Sequence, residues 1–421
     1  MLYIYKYTRT AFTKMGGAMD HLDAADIGKS AVSSLLANTG VDPALIDEVI
    51  MGCVSQPADS ANIARVIALR SGIPDSVIAA TVHRNCASGM ESITSAYERM
   101  HSGRGQLFVV GGCESMSNAH VLFRKSAVQK FSRLARARGP LAKLNAAFQF
   151  RPKDFSPLIG LRLGLTDPVT GINMGQTAEI LAREYDISRD AQDAFAVNSH
   201  TLALENQKQL NQEISPVYTR GKSIESDDGI RADSSLEKLA KLRPVFEKNT
   251  GSVTAGNSSQ ITDGAAVLLV GSIKIKEELG IEPIGRLRGY AYAGCDPSRM
   301  GLGPLFAMQK LFKDSNLRLD QADIIEINEA FAAQTLTCIK VSDSEVLAKK
   351  AGLDSKLGEI PLDKLNRRGG AIALGHPVGA TGARLVLSVL DQLREKQQQH
   401  ALTTLCIGGG QGAALWIERI T

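Results

Sequence analysis

Asp47-Glu48-Val49-Ile50-Met51-Gly52 and Asp323-Ile324-Ile325-Glu326-Ile327-Asn328 share one pattern, an acidic start followed by a short apolar run, and they lie in opposite halves of the chain. Val109-Val110-Gly111-Gly112-Cys113 and Cys406-Ile407-Gly408-Gly409-Gly410 form a second such pair, each at the end of an apolar segment that reads as a buried strand. The order of elements around both pairs is the same. Such self-similarity restricts the fold to an internal duplication, two like units packed face to face. Strand-like and helix-like segments alternate in the first portion, so each unit is expected to be an α/β layer structure.

In that first portion, residues 28–39 and 61–70 have helical spacing, with Gly72 as a stop, while 48–54, 76–82 and 106–112 read as strands. Strand character returns at 263–270. The stretch between is different. Residues 121–165 hold ten Lys or Arg against the single acid Asp154, a local charge of +9 in a chain whose net charge is only +4. Val128, Phe131, Leu134 and Ala135 fall at helical spacing there, giving a basic amphipathic helix. Two more helices are expected between Gly175 and Gln209, the second opened by Ser188 with Asp190 in its first turn. The whole block, 121–244, reads as an inserted, mostly helical domain.

The totals exclude several classes. A net charge of +4 is too small to argue for a nucleic-acid partner. The six cysteines are scattered with no Cys-x-x-Cys pair, which fits neither a disulfide framework nor a zinc site and points to a reducing compartment. No secretory signal, membrane span or C-terminal address is readable, so the expected location is the cytoplasm of a bacterial-like cell.

Chemistry concentrates in four short loops: Cys86-Ala87-Ser88-Gly89, Asn328-Glu329-Ala330-Phe331, Gly369-Gly370-Ala371-Ile372-Ala373-Leu374-Gly375-His376-Pro377 and Cys406-Ile407-Gly408-Gly409-Gly410. Cys86 stands where the strand 76–82 turns into a helix starting near Met90, and a thiol at a helix N-terminus is expected to have a lowered pKa. Singly, each loop has an ordinary explanation: a small core cysteine, a helix cap, a tight turn, a hydrogen-bonded histidine. Together they supply two thiols, an imidazole, an amide and glycine N–H groups, the parts of an acyl-transfer site.

At this point the chain resembles the thiolase family. Arg9-Thr10-Ala11-Phe12, Gly111-Gly112-Cys113-Glu114-Ser115-Met116-Ser117, Lys241-Leu242-Arg243-Pro244, Val253-Thr254-Ala255-Gly256-Asn257-Ser258-Ser259 and the four loops carry the likeness over nearly the whole length. The resemblance implies a duplicated thiolase fold: two helix-covered, five-stranded mixed-sheet halves layered α-β-α-β-α, with a loop domain inserted in the first. The expected division is 1–120 plus 245–275, the insert 121–244, and 276–421. It also implies a homodimer or homotetramer, with coenzyme A as substrate and neither a metal nor a further cofactor.

By the same resemblance Cys86 is the nucleophile that becomes acylated, His376 takes its proton, and Cys406 acts on the Cα proton of the acetyl-CoA unit. Asn328 holds a water that completes one oxyanion hole with His376. The N–H groups of Cys86 and Gly408 form the other. Ser259 and Met174 are expected along the pantetheine and Arg231 near the adenine.

The implied reaction is thiolysis of 3-oxoacyl-CoA in fatty-acid β-oxidation, or the reverse Claisen condensation. A biosynthetic acetoacetyl-CoA thiolase and a non-catalytic acyl-CoA-binding subunit are the alternatives. A decarboxylating ketoacyl synthase would have His in place of Asn328 and no Cys406. Two departures, Asn173 before Met174 and Gln260 after Ser259, are expected on the acyl-chain path. The basic stretch 121–165 is expected to meet an anionic membrane surface, a hydratase/dehydrogenase partner or the CoA phosphates.

Overall fold

The computed structural model describes residues 1–420. Five strands of the first half are β1 (Leu2–Arg9), β2 (Glu48–Gly52), β3 (Ile78–Val82), β4 (Leu107–Glu114) and β5 (Thr262–Gly271); the second half contributes β6 (Gly285–Gly294), β7 (Ile324–Ile327), β8 (His400–Ile407) and β9 (Gln411–Arg419). In the first half β1, β5 and β4 are antiparallel neighbours, and β4, β2 and β3 are parallel ones. The second half repeats this order, with β6, β9 and β8 antiparallel and β8 and β7 parallel. Its fifth position is held by one parallel bridge from Ile325 to Leu365. The duplication is thus visible strand for strand. The two half-sheets are stitched together where Leu2, Tyr3 and Ile4 pair with Leu287, Arg286 and Gly285.

Helices α1 (Ala24–Thr39) and α2 (Ser88–His101) lie on the first half, and α3 (Lys125–Arg136), α4 (Pro140–Ala147), α5 (Met174–Glu184) and α6 (Arg189–Glu205) belong to the insert. In the second half are α7 (Gly303–Ser315) and α8 (Val378–Glu395). Helix α8 touches β4 and β5 of one half and β7, β8 and β9 of the other, and it packs on α2, so these two helices are the central layer. A helix enclosed this way must be apolar nearly all round. The run from Gly379 to Leu390 is buried without a break. Where α2 and α8 cross there is no room for side chains: a Cβ at Gly89 would lie 2.6 Å from Ala383 N, and one at Gly382 would lie 2.6 Å from Met90 N. Charged members of the layer are paired, as Arg384 is with Glu326 at 3.1 Å.

A second buried ion network ties the insert to the body. The Arg9 guanidinium donates to both Asp227 oxygens at 2.7 and 2.8 Å and to Glu213 at 2.9 Å, all out of solvent. Arg368 extends it to Asp391 at 2.7 Å and Glu395 at 2.6 Å on α8.

The basic amphipathic helix is α3, but its apolar face is only partly covered. Phe131 joins Phe123, Phe150 and Phe155 in an aromatic cluster. Val128, expected on the packed face, is left 49% exposed because among the described residues of α3 only Ala127 is fully buried. Beyond it, Leu141 and Phe148 on and after α4 are 79% and 78% exposed. No helix of the described residues is long and apolar enough to cross a membrane.

Candidate active site

The Cys86 elbow is built by a tight turn. Asn85 has φ +43°, the Ser88 N–H donates to the Asn85 carbonyl at 3.0 Å, and the Ser88 hydroxyl donates to the same carbonyl at 2.7 Å. Gly52 makes room for it, since a Cβ there would strike the Ser88 backbone at 2.4 Å. Arg84 braces the turn from both halves: it pairs with Glu91 of α2 at 2.5 Å and stacks 4.2 Å over the Tyr292 ring of β6. Cys86 opens on a cavity of about 440 Å³, lined also by Asn85, Glu114, Met174, Gly408 and apolar residues of the insert.

The thiol pKa is opposite to the expectation from the helix terminus. Burial raises it above the ordinary value, and the backbone N–H groups of Gly408 and of Cys86 itself only partly offset this. Removing a thiolate from water outweighs the partial charge of one helix end. Cys406, near the end of β8, is buried, and burial followed by its neighbour Cys86 pushes its thiol well up. The loop after Cys406 meets the Cys86 turn, since Gly408 and Gly409 line the Cys86 cavity, although 320 positions separate the two cysteines in the sequence.

His376 precedes α8, whose N-terminus crosses that of α2 beside Cys86; Val378 lines the Cys86 cavity. Its Nδ1 lies 2.7 Å from the Thr381 hydroxyl, which itself donates to the Pro377 carbonyl at 3.0 Å. That hydroxyl is left to accept, which assigns the ring proton to Nδ1 and a free lone pair to Nε2. Nε2 is buried with no protein partner. Burial, then the charge of Arg384, pushes the imidazole pKa down to about 3, so it is neutral at physiological pH. A neutral imidazole with an open Nε2 can accept a proton.

Asn328 follows β7, is fully buried, and has both amide atoms without protein partners. Its backbone N–H donates to Thr404 at 3.0 Å, two residues before Cys406. The next residue, Glu329, holds this loop against the one that carries His376: its carboxylate accepts from Ser199, Asn366 and the Ile372 N–H at 2.6, 2.9 and 3.2 Å. Glu114 does similar work beneath Cys86. It accepts from the N–H groups of Val54, Ser55 and Gly379 at 3.1, 2.8 and 2.9 Å, and burial raises its pKa to about 7.

Met174 reaches the Cys86 cavity, and a Cβ at Gly408 would lie 3.2 Å from its sulfur. Arg231 and Ser259 do not line that cavity. Arg231 lies in a separate depression of about 90 Å³ with His200, Gln260 and Ile372, and Ser259 adjoins it in sequence while donating its N–H to Ala330 at 3.0 Å. At both departures noted in the sequence the side chain is bonded to the protein backbone. Asn173 caps α5, accepting from the Gly175 N–H at 3.0 Å. The Gln260 side-chain amide donates to the carbonyls of Gly229, Ile372 and Ala373 at 2.9, 3.0 and 3.3 Å, and the Gln260 backbone carbonyl accepts the His376 N–H at 3.0 Å. Thr381, Glu329, Glu114 and Gln260 went unmarked in the sequence as supports of the site. Two motifs carry a signal for them: Gly111–Ser117 contains Glu114, and Asn328–Phe331 contains Glu329.

Comparison with known proteins identifies the family. The family described as "Thiolase, N-terminal domain" matches residues 2–274, and "Thiolase, C-terminal domain" matches 281–419. A probable acetyl-CoA acyltransferase of Staphylococcus aureus is 39% identical over 419 residues, covering 98% of this chain and 97% of that protein. The crystal structure of a Bacillus anthracis acetyl-CoA acetyltransferase superposes with a TM-score of 0.86 at 35% identity, covering 100% of this chain and 98% of the other. Human mitochondrial 3-ketoacyl-CoA thiolase, solved in complex with CoA, gives a TM-score of 0.85 at 33% identity with coverage of 100% and 98%. With both family domains matched in order across almost its full length, the chain belongs to the thiolase family of acyltransferases.

Proposed function

We propose that this chain cleaves 3-oxoacyl-CoA with CoA, giving acetyl-CoA and an acyl-CoA shortened by two carbons, through an acyl-Cys86 intermediate. The observation that carries the reading is that Gly408, two residues after Cys406, lines the Cys86 cavity and is held there by the Asn85 amide at 2.7 Å. His376 Nε2 takes the Cys86 proton and the sulfur attacks the 3-keto carbon. The bond between C2 and C3 then breaks, its electron pair passing to the acetyl-CoA carbon, which Cys406 protonates. CoA thiol attacks the acyl-enzyme and releases Cys86, so the kinetics are ping-pong. Charge on the reacting oxygens is met by Asn328 with His376 in one step and by the N–H groups of Cys86 and Gly408 in the other. Each such donor typically supplies about 3–4 kcal/mol of barrier lowering. Ser259, Met174 and Arg231 belong to the CoA side of this reading.

The degradative direction, in fatty-acid β-oxidation, is supported by the shape of the cavity. Beyond Cys86 it runs along Met116, Leu122, Leu161 and Leu165, space an acetyl group does not need. Each methylene buried there contributes about 0.8 kcal/mol. A medium- or long-chain 3-oxoacyl-CoA is therefore expected to show kcat/KM at least about tenfold above acetoacetyl-CoA. Equal or higher activity on acetoacetyl-CoA would instead favour the biosynthetic alternative.

We further propose that 121–165 docks on an anionic lipid surface. Exposed Leu141 and Phe148 stand among exposed Arg133, Arg136, Arg138 and Lys143, an apolar and cationic combination suited to such an interface. The protein is expected to co-sediment with phosphatidylglycerol vesicles at low ionic strength and to be released by salt. Absence of binding at low salt discards the lipid surface and leaves the hydratase/dehydrogenase partner and the CoA phosphates.

A further inference from the structure

The duplication offers an internal comparison for one residue of the elbow. Asn85 at φ +43° and Asn366 at φ +44° hold matching places, each just after the fifth strand position of its half. The turn that follows is the same: the Ser88 N–H donates to the Asn85 carbonyl at 3.0 Å, and the Gly369 N–H to the Asn366 carbonyl at 2.9 Å. Left-handed backbone disfavours most side chains and is tolerated best by Gly, Asn and Asp, so both positions suit Asn on local grounds.

The side chains then part ways. Asn366 stays in its own half, accepting from the Ile327 N–H and donating to the Ile327 carbonyl, both at 2.9 Å. Asn85 crosses to the other half, its Nδ2 donating to the Gly408 carbonyl at 2.7 Å. Gly408 is followed by Gly409 and Gly410, at φ +92° and +80°, a backbone without side chains to fix it. That loop is held from the far side by the Cys295 N–H, which donates to the Gly410 carbonyl at 2.8 Å. On the Cys86 side the described contact is Asn85. It joins the turn that presents the nucleophile to Gly408, which lines the same cavity as Cys86.

We propose that Asn85 is a positioning residue for acyl transfer, its amide fixing Gly408 so that the Gly408 N–H meets charge developing at Cys86. The catalytic part of this assignment rests on the thiolase reading above; the effect on the Cys86 thiol does not. Two substitutions separate backbone from hydrogen bond. Asn85→Gly keeps the freedom to adopt positive φ and removes the amide. Asn85→Asp keeps the shape and the tolerance for that conformation but sets an acceptor against the Gly408 carbonyl.

Both variants are expected to lose about ten- to a hundredfold in kcat with KM within about threefold, less than the loss typical of deleting an oxyanion donor outright. The pH midpoint for iodoacetamide alkylation of Cys86, followed by mass spectrometry of its peptide, is expected to move upward in both. In Asn85→Gly no charge is introduced and the ionisable neighbours Glu114 and Cys406 are unchanged, so its shift reports the loss of the Gly408 contact, whereas the new carboxylate of Asn85→Asp adds its own charge in the same direction. Folded variants with unchanged kcat and an unchanged alkylation profile overturn the proposal, as does a rise in KM alone. If the unsubstituted protein turns over no 3-oxoacyl-CoA, the thiolase reading fails, and the alkylation profile still decides the role of Asn85.

Discussion

Cys86→Ala is expected to lower 3-oxoacyl-CoA turnover by about four to six orders of magnitude while substrate still binds. Stopped-flow assay of the purified variant, with CD to confirm folding, checks this; turnover within about tenfold of the unsubstituted chain would remove Cys86 as nucleophile. Loss of a nucleophile is drastic because no nearby group replaces it. Cys406 is the closest chemical substitute, but it is buried and its thiol is held even further from ionisation. His376→Ala should cost about 10²–10⁴-fold, the usual range for a general base. Burial keeps the His376 pKa near 3, so the imidazole is already neutral throughout the working range. The pH profile of acylation should accordingly show no acid limb near 6.5, where an ordinary histidine would titrate. In the histidine variant the dependence should shift to the Cys86 thiol itself, whose raised pKa leaves little thiolate at neutral pH.

Arg9→Ala is expected to destabilise the fold by about 3–5 kcal/mol, measured from urea unfolding at pH 7. Asp227 and Glu213 both bind this guanidinium inside the protein; removing it leaves the buried Asp227 short of a partner and Glu213 with only Arg368, at 3.4 Å. Arg9→Lys should recover only part of the loss, because a point charge cannot reproduce a bidentate contact to Asp227 and a further bond to Glu213. The sign of the pH dependence follows from Glu213. Burial already raises its folded pKa, with Arg9 opposing. Without Arg9 the folded pKa rises further, so the variant is penalised most where Glu213 must ionise and least where it can take a proton. The stability gap between the two proteins should narrow as pH falls from 7 towards 5, and a gap that widens instead would refute this account.

The duplicated order of strands was legible because burial on both faces writes itself into short apolar runs such as 48–52 and 324–327. The residue types of the reaction were legible too, since Cys86, His376 and Cys406 lie in glycine-punctuated loops with few other uses. Side-chain environment was not. The sequence predicts a Cys86 thiol acidified by a helix terminus, and burial reverses the sign. Val128 has helical spacing with Phe131, yet the aromatic cluster takes only the latter. Gln260 looked like a change in the acyl-chain path, and its amide is instead spent on three backbone carbonyls.

By itself the sequence determined the α/β class, the repeat and the stock of reactive groups, because periodicity and residue type are local properties. Only the tertiary structure decided which groups meet. The meeting of the Cys86 turn with the Gly408 loop, the bare Nε2 of His376 and the reach of Asn85 to Gly408 all depend on how two halves pack across α2 and α8. Burial sets charge states and partners there, and burial is a property of the packed chain, absent from any single stretch of it.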